Sequence, residues 1–278
     1  METQTASADR YAVVGNPVAH SLSPQIHRAF AEQSHQLVDY SAIELAPGDF
    51  ERQLRELQEQ GLKGVNVTIP FKRQAWEICD QRSPRADDAG AVNTLVFTED
   101  GNIAGDNTDG VGLTRDLLNN HRALIGHRKI LILGAGGAVR GVLAPLLALK
   151  PDNLTLANRT LEKAEILAED FRHCGDFQVC GFNDLGRDKF DLIINATAAG
   201  LDNEVPPIPE DILGINSICY DMMYDIHAPT AFVNWAQRCG ASRAIDGLGM
   251  LVEQAAESFF IWRGVRVDTA EVIAALRP

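Results

Sequence analysis

The chain has 278 residues, 45% of them hydrophobic, and no low-complexity tract, which is enough apolar material for one or two cored domains. Its formal net charge of −13 argues against nucleic acid as a partner, and an anionic ligand must be held by local cations and N–H donors against the overall field. No apolar run approaches the ~20 residues of a membrane span, the polar segment 1–9 lacks an apolar signal core, and the five cysteines fall in no metal-ligating spacing, so a cytoplasmic protein with reduced thiols and no metal is expected.

Residues 10–15 read as a first strand. A loop over 16–24 carries Ser21 and Ser23, and Pro24 suits the first turn of a helix running to about residue 36. Two neutral hydroxyls there can bond a carboxylate without adding charge; capping the helix is the alternative. Residues 39–45 read as a second strand. Asp49 is placed to cap a helix that stops at Gly61, with Phe50, Leu54 and Leu57 on one face. Residues 64–69 are a third strand, ended by Pro70. In it Val65, Val67 and Ile69 alternate with Asn66 and Thr68, which puts both polar side chains on one face. Lys72 follows, past the turn made by Pro70 and Phe71. Ser83-Pro84 opens a short helix, and strands 94–98 and 102–105 flank a hairpin turn at Glu99-Asp100-Gly101. Asp109 begins a helix to about residue 119. A lysine at a strand end and an aspartate at a domain junction can form a pair in which the carboxylate keeps the ammonium protonated. A general acid toward a developing alkoxide requires that. A solvated lysine and a helix N-cap are the plainer alternatives. No histidine lies in a triad-like setting.

The second half is built around an apolar strand, 129–133, that runs into Gly134, Ala135, Gly136, Gly137 and Ala138 and then a helix over 139–148. Strand, glycine turn, helix opens a dinucleotide-binding βαβ unit, in which the turn lets backbone amides approach a pyrophosphate. The sixth position of G-x-G-x-x-G is Val139 rather than glycine, and a tight turn without ligand is the alternative. The next strand, 154–157, ends at Asn158 and Arg159, where an NAD site places an acid. Arg159 and Lys163 can both face a ribose 2′-phosphate, which points to NADP. Strands at 176–180, 190–195 and 217–221, a proline-rich loop at 205–209, and helices at 230–239, 250–263 and 269–276 complete the pattern. Strands alternating with helices in both halves define two α/β domains, the second a Rossmann-like doubly wound parallel sheet.

Several stretches in order carry a family resemblance: Gly15-Asn16-Pro17 with Ser21 and Ser23-Pro24, Asn66-Val67-Thr68-Ile69-Pro70-Phe71-Lys72, Gly90-Ala91-Val92-Asn93-Thr94 and Gly105-Asp106-Asn107-Thr108-Asp109-Gly110. The glycine loop, Asn158-Arg159-Thr160, Tyr220-Asp221-Met222 with Tyr224, and Asp246-Gly247-Leu248-Gly249-Met250-Leu251 follow. Over nearly its whole length the chain resembles the shikimate dehydrogenases. The resemblance implies NADPH-dependent reduction of 3-dehydroshikimate to shikimate, in aromatic amino-acid biosynthesis. It implies two α/β domains with a cleft between them. The substrate domain would span 1–108 and be completed by helices in 247–278, with the NADP domain at 109–246. It assigns Ser21, Ser23, Thr68 and Tyr224 to the substrate carboxylate and Asn66, Asn93, Asp109 and Gln254 to the ring hydroxyls. Lys72 with Asp109 would be the catalytic pair. Gly134, Ala135, Gly136, Gly137, Ala138, Asn158, Arg159, Thr160, Met222 and Gly247 would line the cofactor. Where NADP-dependent members usually carry a second arginine this chain has Lys163, which keeps the charge but loses the planar fork. The partners expected are a small-molecule substrate and NADP, with neither nucleic acid nor membrane, in a monomer or homodimer. A dual NAD/NADP quinate/shikimate dehydrogenase and a non-catalytic ligand sensor are the competing readings. Asn158-Arg159 argues against the first, and the presence of both Lys72 and Asp109 against the second.

Overall fold

A computed structural model describes residues 7–186, 188–202 and 204–277. The chain divides into two compact units, one of residues 1–108 with 254–272 and one of 109–253 with 273–278. The return to the first unit thus covers 254–272, where the sequence suggested 247–278. The first six residues of the polar N-terminal segment, and Pro278, lie outside the described residues. Asp9 already belongs to a strand.

The first unit carries β1 (Asp9–Gly15), α1 (Ser23–Ser34), β2 (Val38–Glu44), α2 (Phe50–Glu59), β3 (Leu62–Val67), α3 (Lys72–Ile78), β4 (Gln81–Arg82), α4 (Pro84–Ala89), β5 (Thr94–Phe97) and β6 (Ile103–Asp106). Its sheet has the order β2-β1-β3-β5-β6-β4 and is mixed, with β1 parallel to both β2 and β3 and a β5–β6 hairpin added antiparallel. Both faces are covered. Ala12, Val14, Val65, Val67 and Leu95 pack with Phe50, Leu54 and Leu57 of α2, while Tyr11, Val13 and Tyr40 face the other way. Strands buried on both faces read as apolar runs, which is why they were visible in the sequence.

Three local expectations change. The third strand stops at Val67, because the chain turns at Thr68 and Phe71 N–H donates back to Thr68 O; Ile69 is 58% exposed rather than inward. Asp49 does not cap α2 with its side chain, since its carboxylate is taken by Arg52. Past the turn, where no helix was expected, Lys72 is the first residue of α3, in which only Ala75 is buried.

The second unit holds α5 (Asp109–Arg115), which continues as a π-helical turn over Asp116–Asn120, then β7 (Lys129–Leu133), α6 (Gly137–Ala148), β8 (Asn153–Asn158), α7 (Leu161–Asp170), β9 (Gln178–Gly181), β10 (Phe190–Asn195), β11 (Leu213–Asp221), α8 (Ala231–Arg238) and β12 (Arg243–Ile245). Two further helices, α9 (Leu248–Arg263) and α10 (Thr269–Leu276), each contribute residues to both units. The sheet order is β12-β11-β10-β7-β8-β9, and every pairing is parallel. That is the doubly wound dinucleotide order, with its switch point between β7 and β10. Ile130, Ile132, Leu156 and Ile194 pack on Leu113, Val142 and Leu146; Leu131, Leu133 and Ile193 pack on Phe232 and Trp235. Gly110 is required where α5 lies on α6. A Cβ there would sit 2.4 Å from Pro145 Cγ and 2.5 Å from Gly141 O. Pro145 has no N–H for the carbonyl of Gly141, the i−4 position it would otherwise serve. The π turn is held from afar: fully buried Asp116 accepts from Tyr220 Oη at 2.6 Å and from Asn120 Nδ2 at 2.9 Å.

Candidate active site

In the first unit the candidate residues gather at the C-terminal ends of β1 and β3, which are parallel neighbours. Thr68 N–H donates to Val14 O at 2.9 Å, and Asn16 N–H to Ile69 O at 3.0 Å. Ser21 Oγ accepts from Ser23 N–H at 3.2 Å, and Ser23 is itself nearly buried. Neither serine is the N-cap of α1. That position is Leu22, without a side-chain cap, although Ser21 Oγ takes the N–H of Ser23, the first residue of the helix.

Behind this edge lies a buried polar network. Asn66 Nδ2 has Asn93 O at 3.1 Å, Thr94 Oγ1 at 3.2 Å and Ser258 Oγ at 3.0 Å, and Asn66 Oδ1 accepts from Tyr40 Oη at 2.7 Å. Asn93 Oδ1 accepts from Thr108 N–H at 2.9 Å. Asn93 Nδ2 reaches Thr108 Oγ1 at 2.9 Å and Gln254 Oε1 at 3.3 Å. The structure therefore joins Asn66, Asn93 and Gln254. It adds Tyr40, Thr94, Thr108 and Ser258, which sequence reasoning missed. Thr94 and Thr108 stand in stretches that carry the resemblance but had no role assigned, whereas Tyr40 and Ser258 find Asn66 only across 26 and 192 residues of chain.

Lys72 is fixed at its backbone, where its carbonyl accepts from Val92 N–H at 2.9 Å. Val92 precedes Asn93, Asn93 holds Thr108, and Asp109 is the next residue. A short covalent and hydrogen-bonded path thus runs from Lys72 to Asp109, which is buried at the start of α5.

In the second unit, Gly134 N–H donates to Ala157 O at 2.8 Å. Gly134 has φ +107°, and a Cβ there would stand 3.0 Å from Ala196 O, so only glycine fits this turn beside β10. Gly136 is the N-cap of α6, with no side-chain cap bond, and a Cβ built on Gly136 or Gly137 meets nothing within 4 Å. The space beside Gly136 and Gly137 is thus open at the start of α6, which is the room a pyrophosphate at a helix N-terminus requires. Asn158 spends its Nδ2 on Thr160 O at 2.7 Å, bracing the turn that carries Arg159. Arg159, Thr160 and Lys163 are exposed, and neither cation has an ion-pair partner among the described residues. This donor set fits a dinucleotide with a 2′-phosphate.

The far side of the same sheet edge is also braced. Asp221 accepts from Asn195 Nδ2 at 3.0 Å, Thr230 Oγ1 at 2.6 Å and Met223 N–H at 3.1 Å, and Asn195 Oδ1 accepts from Thr197 N–H and Oγ1. Burial raises the Asp221 pKa, and these donors oppose the shift. Gly247 N–H donates to Met223 O at 2.9 Å, and a Cβ on Gly247 would lie 2.4 Å from Met222 O. Gly247, just after β12, thus packs on the turn at the end of β11 that carries Met222 and Tyr224. Burial raises the Tyr224 phenol pKa, so it is neutral at physiological pH.

A doubly wound parallel sheet with a glycine loop and unpaired cations after its second strand, in one chain with a second α/β unit bearing a polar strand-end cluster, defines an NADP-dependent dehydrogenase of two units. Three family descriptions match in order: "Shikimate dehydrogenase substrate binding domain" over residues 13–95, "Shikimate / quinate 5-dehydrogenase" over 117–203, and "Shikimate 5'-dehydrogenase C-terminal domain" over 247–277. A shikimate dehydrogenase (NADP(+)) of Alkalilimnicola ehrlichii is 54% identical over 270 residues, covering 97% of this chain and 99% of its own. Among solved structures, the Ael1 enzyme from Pseudomonas putida has a TM-score of 0.92 at 44% identity, covering 98% of this chain and 99% of that one. A Thermus thermophilus shikimate 5-dehydrogenase in complex with NADP(H) and shikimate has a TM-score of 0.86 at 32% identity, covering 96% and 98%. The chain belongs to the shikimate dehydrogenase family. No described helix is long and apolar enough to cross a membrane.

Proposed function

We infer that the chain catalyses the reversible NADPH-dependent reduction of 3-dehydroshikimate to shikimate, with residues 1–108 and 254–272 as the substrate unit and the remainder as the NADP unit. When bound, NADPH would supply a hydride from its nicotinamide to the C3 carbonyl carbon of the substrate. Gly134, Ala135, Gly136, Gly137 and Ala138 would hold the pyrophosphate. Asn158, Arg159, Thr160 and Lys163 would hold the adenosine ribose and its 2′-phosphate, and Met222 and Gly247 the nicotinamide end. Ser21, Ser23, Thr68 and Tyr224 take the substrate carboxylate; Asn66, Asn93 and Gln254 take the ring hydroxyls. Lys72 donates a proton to the oxygen that gains charge as hydride arrives. Asp109 orients the ammonium and accepts from a neighbouring ring hydroxyl. The protein's largest contribution is to hold the two reacting carbons in contact.

The observation that supports the chemistry is that Lys72 O takes Val92 N–H while Asn93, the next residue, holds Thr108 N–H, so the proposed acid starts its helix beside the buried polar network of the substrate unit. Pure protein with shikimate and NADP+ should generate the absorbance of reduced nicotinamide. Parallel arms with NAD+ and with quinate separate a strict NADP enzyme from a dual-specificity one. No shikimate-dependent signal in any arm would overturn the assignment.

A further inference from the structure

Tyr40 stands on the edge strand β2, outside every motif that carries the family resemblance. Its ring is 8% exposed, and its hydroxyl donates to Asn66 Oδ1 at 2.7 Å. Burial pushes the phenol well above its ordinary value, and the nearby Ser23 side chain opposes that shift. The phenol therefore remains an O–H donor at any working pH. The fully buried His27 ring lies flat against it, with centroids 4.1 Å apart and planes 5° apart. Neither His27 nitrogen has a hydrogen-bond partner among the described residues; burial lowers its pKa to about 3, and the neighbouring Asn66 amide opposes that shift only in part. His27 thus serves Tyr40 as an uncharged aromatic wall.

An asparagine side chain has two N–H donors and one carbonyl oxygen, and a flip of the amide exchanges them. Here the two N–H groups already have three acceptors, in Asn93 O, Thr94 Oγ1 and Ser258 Oγ. With Tyr40 on Oδ1, only one lone pair of that oxygen remains. We propose that Tyr40 is a positioning residue for the substrate: it locks the Asn66 amide so that Asn66 meets a ring hydroxyl solely as an acceptor. The proposal rests on the reading of Asn66 as a substrate contact. It carries a specificity consequence. A ring substituent that donates a proton is accepted at Asn66, while an ether or carbonyl at that place sets two acceptors against each other.

The test is Tyr40→Phe, which keeps the ring against His27 and removes only the hydroxyl. The Michaelis constant for shikimate should rise about five- to tenfold, the scale of one lost hydrogen bond, with kcat changed less than about twofold. The rise should disappear with one member of a set of deoxyshikimates, the one lacking the hydroxyl that Asn66 holds. In a cycle with Asn66→Ala, the double variant should resemble Asn66→Ala alone. An unchanged Michaelis constant overturns the proposal. So does an equal rise with every analogue, which would mean general loosening. The wild type is assayed first in the same series, and absence of shikimate oxidation there overturns the functional reading rather than the lock alone. An independent readout needs no variant. In isotope-labelled wild type the Asn66 Nδ2 protons should give one slowly exchanging pair of resonances, and an averaged or rapidly exchanging pair overturns the lock.

Discussion

The substrate unit and the nucleotide unit are equipped in opposite ways. In the first, the side chains proposed to read the substrate are already held: Asn66 by the Asn93 carbonyl and by Tyr40, and Asn93 by Gln254. In the second, the glycine loop offers bare backbone with empty space above Gly136 and Gly137, and Arg159 and Lys163 stand in solvent. A pre-bonded buried network fixes geometry and responds little to salt, but it fails as a whole when one member is removed. Exposed cations tolerate small shifts of position and are screened by salt. On the proposed assignment, geometry is concentrated at the substrate and loose charge at the large anionic cofactor.

The largest expected effect tests the geometric side. Lys72→Ala should lose on the order of 10²–10⁴ in turnover while substrate affinity changes less. Steady-state rates within about threefold of wild type would remove Lys72 from the proton path. Next comes the charge side. Arg159→Ala should erode an NADP-over-NAD preference of ~10²-fold, chiefly by weakening NADP. Added salt should weaken NADP more than NAD, and Michaelis constants for both cofactors across ionic strength check both statements. A retained preference places the phosphate site elsewhere.

Ser21→Ala or Ser23→Ala should weaken substrate binding by ~1.5–3 kcal/mol per charged hydrogen bond. The loss should be largely masked when the substrate carboxylate is replaced by an amide, and additive losses in that cycle would remove the contact.

A smaller effect concerns acid. Folding moves the His27 pKa down, from 6.5 to about 3, so the unfolded chain takes up the proton first. The neutral ring's contribution is complete above the unfolded value and is lost as pH falls toward the folded one, at about 1.4 kcal/mol per pH unit, or about 2 kcal/mol by pH 5. Denaturant unfolding of His27→Phe, which keeps the aromatic wall, should be flatter over that range than the wild type; an equal slope would refute this. Smallest is Lys163→Ala, which should reduce the cofactor preference by about two- to fivefold, as an exposed and unconstrained charge does.

What the sequence could show follows from the range of the forces involved. Apolar strands 129–133 and 190–195 were legible because both faces are buried, and the glycine loop because one tight turn needs its residues in a row. Helix α3 was not legible, since Lys72, Arg73, Gln74, Trp76, Glu77 and Ile78 are not buried and leave no apolar period. The π turn depends on Tyr220, which is distant in sequence from Asp116. The same holds for the candidate site. Lys72, Asn66 and Thr68 showed themselves by position on a strand and the turn after it, whereas Tyr40 acquires a role only when β2 and β3 have both packed beside β1.

The empty space above Gly136 separates foldability from occupancy. A methyl group placed there collides with nothing in the protein itself, yet it fills the volume a pyrophosphate would need. Gly136→Ala should therefore give a chain that melts like the wild type and still takes up shikimate, but no longer retains NADP. Such a cofactor-blind version would allow titration of the substrate alone by calorimetry, without turnover, and so measure how far each ligand's affinity depends on the other.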